Sequence, residues 1–259
     1  MAWSVDPQGV EKSYWLFRGH KNEDWKLQPT IERKTSYYPI RKAESQLISD
    51  FRIHAALWSK AVPDDNDHVS WLAVMRHHGV PTRFLDWSYS PLVALHFALE
   101  DGGDIEKDAA VWSINSTLIQ KRFESVARPL LNGLTIDLSD PKQFDAIAMY
   151  VFDGESHQDD GLVATIFPRL ASLRSAAQQG AFLLNCNHTL PFQDSLKKMM
   201  SGIKEDQWIK KWRFPYALRA ELARTLFRSN VHPLSLFPDL DGMGRLLALK
   251  YEIYPIASL

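Results

Sequence analysis

From His77 the chain reads His77-His78-Gly79-Val80-Pro81-Thr82-Arg83-Phe84-Leu85-Asp86-Trp87-Ser88-Tyr89-Ser90-Pro91, then runs apolar from Leu92 to Leu99. Glycine is the residue that takes the left-handed position past a helix end, and a proline soon after stops the helix from continuing. Proline is also favoured at the first position of a new helix. The string therefore predicts a helix ending at Gly79, a rigid Pro-bearing loop, and a second helix opening near Ser90-Pro91. Thr82, Arg83, Asp86 and Ser88 crowd hydrogen-bonding groups into that loop. Loops held between buried elements carry binding chemistry more often than other segments do. Arg18 is a second candidate, because it closes the strand-like run Tyr14 to Arg18 just before Gly19.

The surrounding composition narrows the function classes. With 30 Lys and Arg against 31 Asp and Glu, the net charge is −1, which argues against a general nucleic-acid binder. The single Cys186 excludes an intramolecular disulfide. The 9 histidines fall into no zinc-ligand spacing. His77 and His78 would diverge by about 100° on a helix and could not share a face. Met1-Ala2-Trp3-Ser4-Val5-Asp6 lacks signal-peptide character and no apolar run is long enough to span a bilayer, so a soluble cytoplasmic protein with no membrane partner is expected.

Patterning gives the remaining elements. Apolar residues Leu47, Ile48, Phe51, Ala55 and Trp58 recur at helical spacing and predict a helix from about Arg41 to Lys60. Asp67 or Asn66 is the expected N-cap of a helix from Val69 to His78. Strands are expected at Ala109 to Ile114, Ala146 to Phe152 and Gly180 to Asn185, and helices over Pro168 to Ala177, Tyr216 to Phe227 and Leu240 to Tyr251. Trp208 to Phe214 alternates apolar with charged residues, as an edge strand or amphipathic segment does. Phe123 to Asp145 is the least patterned stretch and reads as a long excursion. Without a regular βαβ rhythm, these elements define one α+β domain over residues 1–259, with a small, mostly antiparallel sheet flanked by helices.

Each candidate residue has a structural reading beside the functional one. Arg18 offers a planar two-pronged donor for phosphate or carboxylate, or else a surface ion pair. Asp86, between Leu85 and Trp87, is expected to pair with Arg83 and hold the loop. Ser88 and Ser90 can cap the following helix or line a pocket at its start. Gln178 and Gln179 stand at the mouth of a strand, where they cap a helix or meet a ligand. Phe237-Pro238-Asp239-Leu240-Asp241-Gly242 lacks the spaced ligands of a calcium loop and reads as a turn. No metal is expected.

Phe17-Arg18-Gly19-His20, Trp25, Leu27-Gln28-Pro29, Glu44, Phe51, Trp71-Leu72, His77 to Ala98, Gln178 to Phe182 and Leu236 to Gly242 together resemble the FRG-domain family of bacteria and phages. The likeness spans nearly the whole chain. The motif order is also similar to that of ADP-ribosyltransferases, in which an aromatic-Arg-Gly strand holds NAD. A Ser-bearing strand then leads into an A-x-x-F-A helix, here Trp87-Ser88-Tyr89-Ser90 and Ala94 to Ala98. A Glu near the start of a late strand completes that pattern, and here Gln178-Gln179 stand in its place.

The resemblance implies an NAD-consuming enzyme, an effector in phage defence or a toxin, with Arg18, Ser88 and Gln179 as its catalytic residues. It further implies NAD contacts from Phe17, Arg18, Gly19, Thr82, Arg83, Asp86, Trp87, Ser90 and Gln178. Its acceptor would be protein or nucleic acid, and an antitoxin or defence-system partner would restrain it. Asp86, Glu155 or Asp239 are the carboxylates able to replace the absent Glu. Because a neutral Gln leads the late strand, a non-catalytic nucleotide- or partner-binding sensor stands as the alternative.

Overall fold

The computed structural model describes residues 14–34, 39–58, 62–100, 106–130, 161–166 and 173–253. Among these, six strands form one antiparallel sheet in the order β4-β5-β2-β1-β3-β6. They are β1 (Trp15–His20), β2 (Phe84–Ser88), β3 (Ala109–Asn115), β4 (Val163–Ile166), β5 (Gly180–Asn185) and β6 (Ile209–Phe214). The α+β architecture expected from the sequence is the one observed.

The local signals around His77 act as their chemistry requires. Helix α3 (His68–His77), which follows α1 (Thr30–Lys34) and α2 (Ile40–Trp58), starts where the Asp67 carboxylate accepts from Ser70 N at 2.9 Å. It ends where Gly79, at φ 80°, donates to Arg76 O and Val80 donates to Met75 O, the paired closure of a Schellman turn. Helix α4 (Pro91–Leu99) opens with Pro91 in its first turn and with Ser90 Oγ accepting from Val93 N at 3.3 Å.

Between those helices the structure departs from the expected loop. Phe84–Ser88 is strand β2, inside the sheet and paired with β5 from Phe84↔Leu184 to Ser88↔Gly180. Strands buried on both sides lose the apolar–polar alternation that identifies a half-buried one, and β2 has Phe84, Leu85, Trp87 and Ser88 all buried.

Of the three apolar clusters among the described residues, two take opposite faces of β1. Leu16 joins Leu72 and Met75 of α3, Phe84 and Leu85 of β2, and Phe192 in the larger one. Its neighbour Phe17 packs instead with Ala94 and Ala98 of α4 and with Leu226, as strand alternation demands. Gly19 makes that contact possible: a Cβ there would stand 2.0 Å from Ala94 O and 2.6 Å from Ala98 N. The small residues of the A-x-x-F-A helix and the glycine of Phe17-Arg18-Gly19 thus let helix and strand backbones meet.

Residues 123–130, expected in an excursion, belong to helix α5 (Ser116–Leu130), whose Ile119, Phe123 and Ala127 are core residues spaced four apart. After α6 (Leu173–Ala177), α7 (Phe192–Met199) and α8 (Glu205–Trp208), the expected Tyr216 to Phe227 helix divides into a 3₁₀ turn at Tyr216–Leu218 and helix α9 (Arg219–Arg228). Helices α10 (Pro233–Leu236) and α11 (Leu240–Ile253) follow. The strand expected at Ala146 to Phe152 and the candidate Glu155 lie outside the described residues, as do residues 168–172 of the expected Pro168 helix; its described part is α6.

Candidate functional site: an arginine-lined cleft at a parting of the sheet

Strands β1 and β3 pair at all six positions from Trp15 to His20, and β2 and β5 at five, but β1 and β2 are bridged only at Phe17↔Ser88. Past that bridge the two strands separate, leaving backbone groups that need partners. The Asp86 carbonyl finds one in Arg18, whose Nη1 donates to it at 2.7 Å. Arg18 Nε donates to His20 Nε2 at 3.2 Å. That imidazole is free to accept because burial, helped by the Arg18 charge, pulls its pKa down to about 3. Burial also lowers Arg18 to about 10, which leaves it protonated at neutral pH.

Asp86 supplies the negative charge at this point. Both of its carboxylate oxygens accept from Arg76 Nε at 3.0 Å, Arg76 Nη2 closes tightly on Oδ2, and Arg18 Nη1 is 3.7 Å from the same oxygen. Burial pushes the carboxyl upward, but the charge and hydrogen bonds of Arg76, with Arg18 behind it, outweigh that and hold it below its ordinary range. Two further guanidiniums stand close by. Thr30 Oγ1 accepts from both Arg76 Nη1 (3.0 Å) and Arg33 Nη2 (3.2 Å), and Arg174 lies over the Phe237 ring at 4.4 Å. Arg33 and Arg174 close no ion pair with a carboxylate among the described residues. Burial, with neighbouring positive charge, lowers the pKa of both.

Arg18, Arg33, Arg76, Arg174 and Asp86 all line one cleft of ≈1470 Å³. Its lining carries a net positive charge, since Asp24, Asp86 and Glu100 face four guanidiniums with Lys21 and Lys26, and such a concavity concentrates anions. Planar guanidiniums at several angles suit phosphate or carboxylate oxygens best. Aromatic surface is available beside them: Trp25, 42% exposed, lies 6.2 Å from the His20 ring, and Phe97 and Phe182 also line the cleft. His77 and His78 both line it, contrary to the helical-wheel expectation, with ring centroids 5.0 Å apart. The reason is that His78 has left the helix as its C-cap.

Of the residues singled out in the sequence, Phe17, Arg18, Gly19, Asp86, Trp87, Ser88 and Gln178 line the cleft, while Thr82, Arg83, Ser90 and Gln179 do not. Arg83 does not pair with Asp86. Its Nε donates to Glu44 at 2.7 Å and its Nη1 to Asn185 O at 3.2 Å, in a wholly buried setting that ties α2 to β2 and β5. Thr82 is equally buried and its carbonyl accepts from Ile31 N. Ser90 is the α4 cap. Ser88 Oγ donates to Gln178 O at 2.7 Å and accepts from Ser90 N at 3.0 Å, joining the end of β2 to the turn before β5. Gln179 holds that turn at φ 48° with its carbonyl accepting from Tyr89 N, and Gln178 Nε2 donates to Leu236 O. Asp239 Oδ1 accepts from Gly242 N, a turn contact as expected.

Arg33, Arg76 and Arg174 were not visible as site residues in the sequence. The one available signal was Arg76 in the last turn of a helix leading straight into the Gly79 stop.

The fold and cleft define an α+β domain built around an open antiparallel sheet with a cationic groove at its parting. Residues 13–107 match the family model of the FRG domain. The match takes in β1, α1 to α4 and β2, hence Arg18, Arg33, Arg76 and Asp86, and ends before Arg174 and Gln178. No curated protein and no solved structure matches the chain. Among the described residues no helix is long and apolar enough to cross a membrane, and no group of three or more His, Cys, Asp or Glu side chains could hold a metal ion.

Proposed function

We propose that the cleft binds NAD and that the chain is an ADP-ribosyltransferase-like enzyme cleaving the nicotinamide–ribose bond. One observation carries this reading: β1, β2 and β5 are neighbours, and Arg18 of β1, Ser88 of β2 and Gln178 of the turn leading into β5 line one cationic cleft. In this reading Arg18, with Arg76 and Arg33 beside it, grips the dinucleotide phosphates through charge-assisted hydrogen bonds. Trp25 and the neighbouring rings offer stacking surface for the bases.

Cleavage breaks the bond from ribose C1′ to the nicotinamide nitrogen. The bonding pair leaves with nicotinamide, positive charge gathers on the ribose, and an acceptor nucleophile on protein, nucleic acid or water closes on C1′ and releases its proton. A carboxylate near C1′ is the group that stabilises such charge. Gln178 and Gln179 cannot supply it, and Asp86 is the carboxylate seated among the guanidiniums of the cleft. We assign it that role. An effector role in phage defence or as a restrained toxin belongs to the same proposal.

A specific observation favours the second reading, a non-catalytic nucleotide sensor: Asp86 is already neutralised by Arg76 and Arg18. Incubation with NAD and chromatography of the products separates the two. The enzyme releases nicotinamide over a buffer control and loses that release in Asp86→Asn, whereas the sensor returns NAD unchanged.

A further inference from the structure

A second concavity lies on the α4 side of the sheet, away from the arginines. It is a groove of ≈430 Å³ lined by apolar side chains from β1, β3, β6 and α4, among them Trp15, Leu92, Leu95 and Trp212, with Lys210 its one charged residue. Trp212 is 54% and Leu92 44% exposed. The groove runs beside β6, whose inner side pairs with β3 along its whole length and whose outer side pairs with no strand among the described residues.

β6 reads Ile209-Lys210-Lys211-Trp212-Arg213-Phe214: three cations, no anion, and its four central residues exposed. Lysines on an edge strand serve to discourage aggregation. That accounts for Lys210 and Lys211 but not for an exposed tryptophan between basic residues, next to an apolar groove. Lys211 and Arg213 are drawn to Glu23, through its carbonyl and its carboxylate, whereas Lys210 lies over the Trp15 ring at 5.4 Å on the groove side.

We propose that β6 and this groove form a docking site for an extended acidic segment of a partner protein, added to the sheet as a further strand. Main-chain hydrogen bonds to the free edge would supply affinity, and alternate apolar side chains would fill the groove beside Trp212. Acidic side chains, alternating to the face opposite the groove, would meet Lys211 and Arg213, since opposite charges on facing strands attract. The same charge excludes a second copy of this chain as occupant. Two β6 edges joined antiparallel by a two-fold axis set Lys211 against Lys211 or, centred on Trp212, Lys211 against Arg213, like against like.

The test is fluorescence anisotropy on the full chain, using a short fluorescein-labelled peptide that alternates valine with glutamate and a matched peptide alternating valine with lysine. The acidic peptide should bind saturably and about tenfold more weakly to Lys211→Glu and to Trp212→Ala, both solvent-exposed positions whose variants keep the wild-type circular dichroism. Lys211→Gln should fall between. The proposal is overturned if the acidic peptide does not saturate, if both peptides bind alike, or if the variants bind as wild type does. It is overturned equally if sedimentation shows a dimer that Trp212→Ala dissolves.

Discussion

Arg76 embraces Asp86 end to end, its Nε equidistant at 3.0 Å from both carboxylate oxygens, while Arg18 holds the carbonyl of the same residue. Asp86 is thereby fixed by two arginines, one from the last turn of α3 and one from β1, and the parting of the sheet is fixed with it. Asp86→Asn should keep the fold, leave NAD binding at least as tight, and lower nicotinamide release by about 100-fold. Separate measurements of binding and turnover check this, because a merely structural role would move both together.

The Arg83–Glu44 pair carries a different expectation. Arg83 is 0% and Glu44 2% exposed, so deleting one partner strands a buried charge. Glu44→Gln should cost about 3–5 kcal/mol in urea unfolding, and replacing both residues with apolar ones of similar size should recover much of that loss. Neither change touches the cleft, so any binding that survives should keep its wild-type affinity.

Glu32 gives a pH-dependent prediction. Its Oε1 accepts from Asn185 Nδ2 and Phe192 N, and burial pushes its pKa up to about 7. A carboxyl whose folded pKa is raised binds protons more readily when folded, so stability falls as pH rises through that window. Glu32→Gln keeps an acceptor without the charge. The variant should match wild type near pH 4.5 and gain on it progressively up to about pH 7, the window set by the shift. Urea midpoints across that range check the sign, and the comparison cancels the opposite slope from buried His20 and His96, whose pKa values are lowered.

Gly19→Ala should destabilise the domain by about 3 kcal/mol or more, because its Cβ would meet backbone atoms of α4, which cannot rotate aside as a side chain can. Ser90→Ala, which removes only the α4 cap, should cost about 1 kcal/mol. Thermal melts of the two variants rank them.

What the sequence made legible is what local chemistry dictates. Gly79, Pro91, Asp67 and Ser90 announce their helix ends because each satisfies or frees a backbone group at its own position. Arg18 stood out because a cation at the end of an aromatic strand has no use in a core. The Ile119, Phe123, Ala127 spacing of α5 was missed, because the stretch from Phe123 read as an unpatterned excursion. Phe84 to Ser88 was missed too, since burial on both faces erases the strand alternation. Arg83 was misassigned for a plainer reason: its partner Glu44 is 39 residues away, and no local pattern pairs them. The rest of the cleft had the same problem. Arg33, Arg76 and Arg174 come from three separate helices and meet only through the fold.

Calorimetric titration of NAD into the wild-type chain and into folded Arg18→Ala tests the central claim most directly. Saturable binding that weakens at least about tenfold in the variant is the expected result, since a charge-assisted contact to phosphate is worth that much. Equal affinity in the two proteins, or no binding by either, would contradict the assignment of the cleft as a nucleotide site.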